Sequence, residues 1–252
     1  EQLITLHGAE NIAAVIVEPM SGSAGVILPP DGYLKRLREI TQKHGILLIF
    51  DEVITGFGRL GAAFASDFWQ VTPDIITTAK AINNGAIPMG AVFVSNTIHD
   101  TCMQGPENMI EFFHGYTYSG HPVAAAAALE NINIIKQEKL VEKVGAEIAP
   151  YFQQSLQQLA EHPLVGEVRG LGLVGAIELV QNKAKRQRYP SNIGVGTWCR
   201  DACIKHGLVM RSVGDTMIIS PPLVITKAQI DELIEKALLA LNDTYTQCLS
   251  IK

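Results

Sequence analysis

Two short apolar segments, each followed closely by an ionisable residue, constrain the fold of this chain most strongly. Residues 46–50 read I-L-L-I-F and run into Asp51, and residues 75–78 are followed by one alanine and then Lys80. Continuous rather than alternating apolar strands are typical of a parallel sheet that is covered on both faces. We therefore predict an α/β fold with a mostly parallel sheet, in which strand ends present an aspartate and a lysine.

Strand and helix candidates follow one another along the rest of the chain. Further strand candidates are residues 13–17, 91–94, two pieces within 165–180, and a hairpin formed by 208–211 and 217–220. Helix candidates are residues 33–44, 122 to about 160 with a break near 138–140, 194–206 and 227–245. We expect a large domain over residues 1–140 and a smaller α+β domain over residues 141–252.

Composition excludes several classes of function. A formal net charge of −5 without a block of basic residues argues against a nucleic-acid surface, and residues 183–188, the densest basic cluster, fit a solvated loop. No apolar stretch approaches the roughly 18 to 20 residues needed to cross a bilayer. The four cysteines lack zinc-site spacing. They predict reduced thiols in a cytoplasmic protein and no metal site.

Asp51 and Lys80 are the candidates for chemistry. A lysine between apolar segments at a strand end can lose its water and attack a carbonyl as a free amine, although a solvated surface lysine is the alternative. A carboxylate that caps a buried strand is costly unless it is paired. Asp51 is therefore expected either to bond backbone amides in a turn or to hold a cationic ring nitrogen.

Three motifs together carry a family resemblance. They read I-F-D-E-V-I-T-G-F-G-R, P-D-I-I-T-T-A-K-A-I-N-N-G-A-I-P-M-G-A-V and H-G-Y-T-Y-S-G-H-P-V-A. In this order they resemble the class III aminotransferases of the fold-type-I pyridoxal-phosphate enzymes, and more narrowly the ω-amino acid:pyruvate subgroup. The 29 positions from Asp51 to Lys80 match the family spacing, and the resemblance covers nearly the whole chain.

The resemblance implies roles for four residues around pyridoxal 5'-phosphate. Lys80 would form the internal aldimine and carry the proton during transamination. Asp51 would pair with the pyridine nitrogen, and Val53 would pack on one ring face. Thr117 would reach the phosphate of the neighbouring subunit's cofactor, which implies a homodimer.

Further residues are assigned by the same resemblance. Arg211 would bind the carboxylate of pyruvate or an amino acid as a bidentate guanidinium, with a surface salt bridge as the alternative. Glu18 would support the site from a strand end. Arg59, His114 and His121 are expected to hold the fold rather than to act on a substrate.

Two departures from other branches of the family bear on the substrate. Ser23 replaces a glutamate that partners a gating arginine, and Ile54 replaces a glutamine that contacts the cofactor ring. Both changes make the pocket less charged and more apolar, which points to pyruvate rather than 2-oxoglutarate as the amino acceptor. Neither identifies the amine donor, since related pockets take β-alanine, putrescine, taurine and aryl amines.

The length of the chain leaves alternatives open. The family's first phosphate-binding loop and a stacking aromatic residue are expected upstream of Glu1, so we expect the C-terminal part of a longer enzyme. The alternatives are an aminomutase, a decarboxylating or 2-oxoglutarate-linked aminotransferase, and an inactive fragment that retains only an interaction surface.

Overall fold

The computed structural model describes residues 1–105 and 114–250 of the chain. The chain forms two compact units. The first unit comprises Glu1–Pro19, Pro29–Phe57 and Ala63–Lys139, and the second comprises Met20–Leu28, Gly58–Ala62 and Leu140–Lys252. Two short segments near the start of the chain therefore group with the second unit, whereas the sequence predicted two uninterrupted spans.

Both units contain α-helices and β-strands. The α-helices are α1 Gln2–His7, α2 Tyr33–Lys43, α3 Ala65–Trp69, α4 Asn96–Cys102, α5 Pro122–Gln137, α6 Leu140–Lys143, α7 Ala149–Gln157, α8 Val195–Lys205 and α9 Lys227–Leu249. The strands are β1 Ala14–Val17, β2 Leu47–Asp51, β3 Ile75–Thr78, β4 Ala91–Val94, β5 Val165–Leu171, β6 Val174–Leu179, β7 Arg211–Val213 and β8 Thr216–Ile219. Single 3-10 turns occupy Ala9–Asn11, Lys80–Ile82 and Gln158–Glu161, and a π-helical turn occupies Val144–Ile148.

The sheet of the first unit has the strand order β1-β2-β3-β4. β1, β2 and β3 are parallel, with Phe50 opposite Ile76, and β4 is antiparallel to β3. Leu48 and Phe50 of β2 are fully buried and form a core cluster with Leu34 of α2 and Val71. The predicted α/β class with a mostly parallel sheet is confirmed, and the antiparallel direction of β4 is an addition to it.

The sheet of the second unit is antiparallel throughout, in the order β5-β6-β8-β7. All six residues of β6 are buried, and large side chains such as Phe152 and Leu156 of α7 belong to the same core. The predicted hairpin was misplaced in its first strand, which is Arg211–Val213 rather than residues 208–211. The turn falls at Gly214, whose φ of +56° favours glycine, so the strand leads directly into it.

Candidate active site at the carboxyl ends of three parallel strands

Three predicted site residues lie at or just after the ends of three neighbouring parallel strands. Glu18 comes directly after β1, Asp51 ends β2, and Lys80 lies two positions beyond the end of β3. The register places Asp51 opposite Thr77 of β3. The carboxyl ends of neighbouring parallel strands meet at one sheet edge, which is where open α/β folds bind their ligands. The fold therefore brings the amine and the two carboxylates to one edge.

Asp51 uses one carboxylate oxygen to shape the chain that follows. Its Oδ1 accepts a hydrogen bond from the Val53 backbone N–H at 3.0 Å, and the side chain is half-buried. Among the described residues, no group donates a hydrogen bond to Oδ2. Oδ1 therefore stabilises the turn, as expected if Asp51 bonds backbone amides. Oδ2 is available to a cation, as expected if Asp51 holds a cationic ring nitrogen.

Lys80 has an unusual backbone and an uncommitted amine. Its φ is +46°, a left-handed conformation that costs a residue with a Cβ on the order of 1–2 kcal/mol. Lys80 is exposed among the described residues, so it lacks the desolvated environment that was expected from the sequence. Within the described residues, the amine makes no hydrogen bond or ion pair. A strained lysine without a structural partner at a sheet edge is typical of functional sites.

Glu52 was missed by the sequence reasoning and supports the same turn. Its side chain is 1% exposed. Its Oε1 accepts from the Ser66 N–H at 2.9 Å, and its Oε2 accepts from the Thr55 hydroxyl at 3.1 Å and from the Ala65 N–H. Burial raises the pKa of Glu52, and these hydrogen bonds partly oppose the rise. Glu52 therefore ties the chain just after Asp51 to the start of α3.

The burial of Glu52 had only a weak signal in the sequence. A second carboxylate directly after Asp51, with a threonine three positions on, suggests a local hydrogen bond. The other two donors lie thirteen and fourteen positions further along, so the bonds depend on the folded chain. That part of the arrangement is visible only in the structure.

Val53, Ile54 and Thr117 also belong to the first unit. Val53 and Ile54 are half-buried, while Thr117 is exposed in a turn. The turn is organised by Ser119, whose hydroxyl accepts from the Tyr116 N–H at 2.7 Å. Within the described residues the Thr117 hydroxyl has no partner, so local capping, the alternative role, is carried by Ser119 instead.

Ser23 and Arg211 lie in the second unit. Ser23 is exposed in a turn closed by the bridge between Ser21 and Ile27. Arg211 is exposed at the start of β7, opposite Ile218. Its guanidinium forms no ion pair or hydrogen bond with any described residue, so the salt-bridge alternative finds no partner there.

Two residues that were expected to hold the fold do so. Arg59 donates from Nη1 to the carbonyl oxygens of Leu173 at 2.9 Å and Pro221 at 2.5 Å. Burial lowers the pKa of Arg59 to about 10, so the guanidinium stays charged at neutral pH. His121 caps α5, since its Nδ1 accepts from the Ala124 N–H at 3.3 Å. These hydrogen bonds confirm the structural reading of both residues.

All four cysteines are free thiols, with Cys102 exposed and the others buried. No cluster of three or more metal-ligating side chains occurs in residues 1–105 and 114–250. Across the same residues, no helix combines the length and apolar character needed to traverse a bilayer.

Comparison with known proteins identifies the family. The model for "Aminotransferase class-III" matches residues 1–241. The chain belongs to the class-III aminotransferases. A putrescine–pyruvate aminotransferase of Pseudomonas aeruginosa is 54% identical over 250 residues, which are 99% of this chain and 54% of that protein. A β-alanine–pyruvate aminotransferase of the same organism is 47% identical over 243 residues, or 96% of this chain and 53% of that protein. The chain thus spans about half the length of these curated relatives.

Solved structures agree with this assignment. A thermostable (S)-enantioselective ω-transaminase from Thermomicrobium roseum superposes with a TM-score of 0.91 at 44% identity, covering 96% of this chain and 53% of that one. A transaminase from a marine Virgibacillus gives a TM-score of 0.92 at 41% identity, with coverage of 98% and 56%. The fold of this chain therefore matches pyridoxal-phosphate transaminases of fold type I.

The donor set at the sheet edge fits the cofactor of this family, pyridoxal 5'-phosphate. Such a cofactor needs an amine for covalent attachment and a carboxylate beside its ring nitrogen. Lys80 has an amine without a partner, and Asp51 has one carboxylate oxygen without a donor, within the described residues. These two residues would hold the cofactor.

Proposed function

We propose that the complete protein transfers an amino group from an amine or ω-amino acid to pyruvate, with pyridoxal 5'-phosphate as its cofactor. The observation that carries this proposal is the placement of Asp51 at the end of β2 and of Lys80 just after the neighbouring parallel strand β3, each with an uncommitted functional group. The relatives from Pseudomonas aeruginosa support the substrate class, since their names specify putrescine or β-alanine with pyruvate.

The residues at the sheet edge have distinct tasks in this proposal. When bound, the cofactor supplies an electron sink that stabilises negative charge at the reacting carbon. The free oxygen of Asp51 keeps the ring nitrogen protonated. The Lys80 amine would accept the proton from the amine-bearing carbon of the substrate as a general base, and would donate it as a general acid to the cofactor carbon that receives the amino group. Val53 covers one face of the ring, and Glu18 stands beside the site at the end of β1.

Assembly and location are part of the same proposal. Thr117 would reach the phosphate of the cofactor held by the partner subunit of a homodimer, and its exposed hydroxyl without a local partner supports this role. Four free thiols support a reducing, cytoplasmic location.

Pyruvate is the acceptor that the substrate residues favour. Ser23 and Ile54 carry no charge that would match a second carboxylate, and Arg211 supplies one guanidinium for the single carboxylate that pyruvate has. The distal carboxylate of 2-oxoglutarate needs a cationic partner when it leaves water, and neither Ser23 nor Ile54 can supply one.

A comparison of acceptors tests this specificity. With one amine donor and the complete protein, kcat/KM for pyruvate should exceed that for 2-oxoglutarate by at least about tenfold. Lys80→Ala should abolish both activities and serves as the blank. A preference for 2-oxoglutarate would contradict the roles of Ser23 and Ile54 while leaving transamination itself intact.

Substitution of Arg211 tests the carboxylate contact separately. A charge-assisted hydrogen bond contributes about 1.5–3 kcal/mol, so Arg211→Ala should lower kcat/KM for β-alanine by about tenfold or more. Turnover of an aryl amine without a carboxylate should change much less, measured in the half-reaction so that pyruvate is absent. Arg200→Ala, which removes a half-buried arginine paired with Asp201, is the control. Equal losses for both donors would assign Arg211 to structure.

A further inference from the structure

The two backbone hydrogen bonds that close the turn at Lys80 are both long. Lys80 begins a single 3-10 turn in a left-handed conformation. The Ile82 N–H reaches the Ala79 carbonyl at 3.2 Å, and the Gly85 N–H reaches the Lys80 carbonyl at 3.3 Å. Both distances lie near the long end of the range for N–H···O bonds. A strained residue persists only when its surroundings hold it, so the turn needs support from elsewhere.

Asn131 of α5 supplies such support from about fifty positions away. Its Nδ2 donates to the Ala81 carbonyl at 2.8 Å and to the Ile82 carbonyl at 3.2 Å. These are the two residues that directly follow Lys80. The amide therefore binds the turn at the point where the backbone leaves Lys80.

The position of Asn131 within α5 shows that it is directed inward. The buried residues Ala124, Ala128 and Ile135 follow helical spacing, and Asn131 lies on the same stripe between the last two. Asn131 is half-buried, whereas Asn133 of the same helix is exposed. A polar side chain on a buried stripe is costly without partners, and here the partners are the carbonyls beside Lys80.

We propose that Asn131 is a positioning residue for Lys80. By fixing the carbonyls of Ala81 and Ile82, its amide sets the backbone from which the Lys80 amine extends to the reacting carbon. This inference rests on the proposed function, since positioning matters only if Lys80 transfers the proton. A misplacement of about 1 Å can cost a reaction about a hundredfold in rate.

Matched asparagine variants of the complete protein test the proposal. Asn131→Ala should lower kcat by about tenfold or more with little change in KM for the amine donor, because the amine is misplaced while the substrate pocket is intact. Asn131→Asp should be worse, since a carboxylate would face two carbonyl oxygens. Asn133→Ala and Asn133→Asp should behave as wild type.

A second readout follows the cofactor directly. Added pyridoxal phosphate should attach to Lys80 more slowly in Asn131→Ala than in wild type or Asn133→Ala, measured by visible absorbance and by the mass of the borohydride-reduced protein. Asn131→Ser, a smaller polar change, provides a variant if Asn131→Ala folds poorly. Both readouts are expressed per folded molecule.

Three outcomes distinguish the positioning role of Asn131 from the proposed function. Lowered kcat and slowed attachment in the Asn131 variants alone support the inference. A lower melting temperature with wild-type kcat and attachment rate would reduce Asn131 to a purely structural role and overturn it, while the proposed function would stand. If wild type and Asn133→Ala also fail to attach the cofactor, the proposed function itself is wrong and the inference falls with it.

Discussion

At the residue scale, neighbouring carboxylates have different tasks. Asp51 bonds its own turn through one oxygen and leaves the other free of donors from the described residues, whereas Glu52 is buried and accepts from three groups. In the proposed function Asp51 would bind the cofactor, whereas Glu52 stabilises the turn that follows it. The sequence indicated the importance of Asp51 because it ends an apolar strand. It could not reveal Glu52, because burial of that side chain depends on where α3 begins.

Glu52→Gln should destabilise the folded protein. The Ala65 and Ser66 N–H groups bond to opposite carboxylate oxygens, so an amide would turn its own NH₂ towards one of them. We expect the free energy of unfolding to fall by about 1–3 kcal/mol at neutral pH, measured by denaturant unfolding of the complete protein. Glu39→Gln is the control, since Glu39 is exposed and pairs only with Arg36 among the described residues. Equal effects of the two substitutions would contradict the supporting role of Glu52.

At the element scale, strand positions were easier to predict than strand directions. The continuous apolar runs gave β3 and β4 at residues 75–78 and 91–94, as the structure has them. The antiparallel direction of β4 depends on the path of the connecting loop, which has no repeating pattern. The first strand of the later hairpin was misplaced because residues 208–210 are as apolar as a strand, although the Gly214 turn sets the pairing.

The close approach of two backbone segments could not be predicted from the sequence either. A Cβ on Gly145, in the π-helical turn, would lie 2.7 Å from the Gly61 carbonyl oxygen, and both glycines belong to the second unit. Glycine is normally unfavourable in a helix by up to about 1 kcal/mol relative to alanine. Here it permits two segments far apart in sequence to touch, which no local propensity encodes.

The turn into β5 should make the stability of the second unit depend on pH. His162 accepts from the Leu164 N–H through Nδ1 at 3.2 Å and contacts the Asn242 oxygen through Nε2 at 3.3 Å, which requires a neutral ring. Burial lowers the pKa of His162 below its usual 6.5. The hydrogen bond to Asn242 raises this pKa, and the positive charge of Lys183 lowers it. The unfolded chain therefore binds the proton first as pH falls, and stability is lost below about pH 6.5.

Unfolding measurements across that range check the prediction for His162. The free energy of unfolding of the wild type should decrease as pH falls from 6.5 through the lowered pKa of His162. His162→Gln should be less stable than the wild type at pH 7, and its free energy of unfolding should vary less with pH. His7→Gln, at an exposed histidine of the first unit, should keep the wild-type slope. A wild-type slope in His162→Gln would assign the titration to other groups.

At the scale of the whole molecule, the family could be recognised from sequence while the grouping of segments could not. The aspartate-to-lysine spacing and three ordered motifs indicated class III, and the family match confirms it. The segments Met20–Leu28 and Gly58–Ala62 join the second unit through contacts with residues more than eighty positions away, such as the Arg59 bonds to Leu173 and Pro221. Such long-range contacts follow from the fold and leave no contiguous pattern.

The central claim is that Lys80 attaches the cofactor, and the visible spectrum of the complete protein tests it most directly. Wild type with added pyridoxal phosphate should show the absorbance band of a covalently attached cofactor, and so should Lys35→Ala, which removes an exposed lysine of α2. Lys80→Ala should lack that band and yield no cofactor-modified peptide after borohydride reduction. An unchanged band in Lys80→Ala, with the modification on another lysine, would contradict the account.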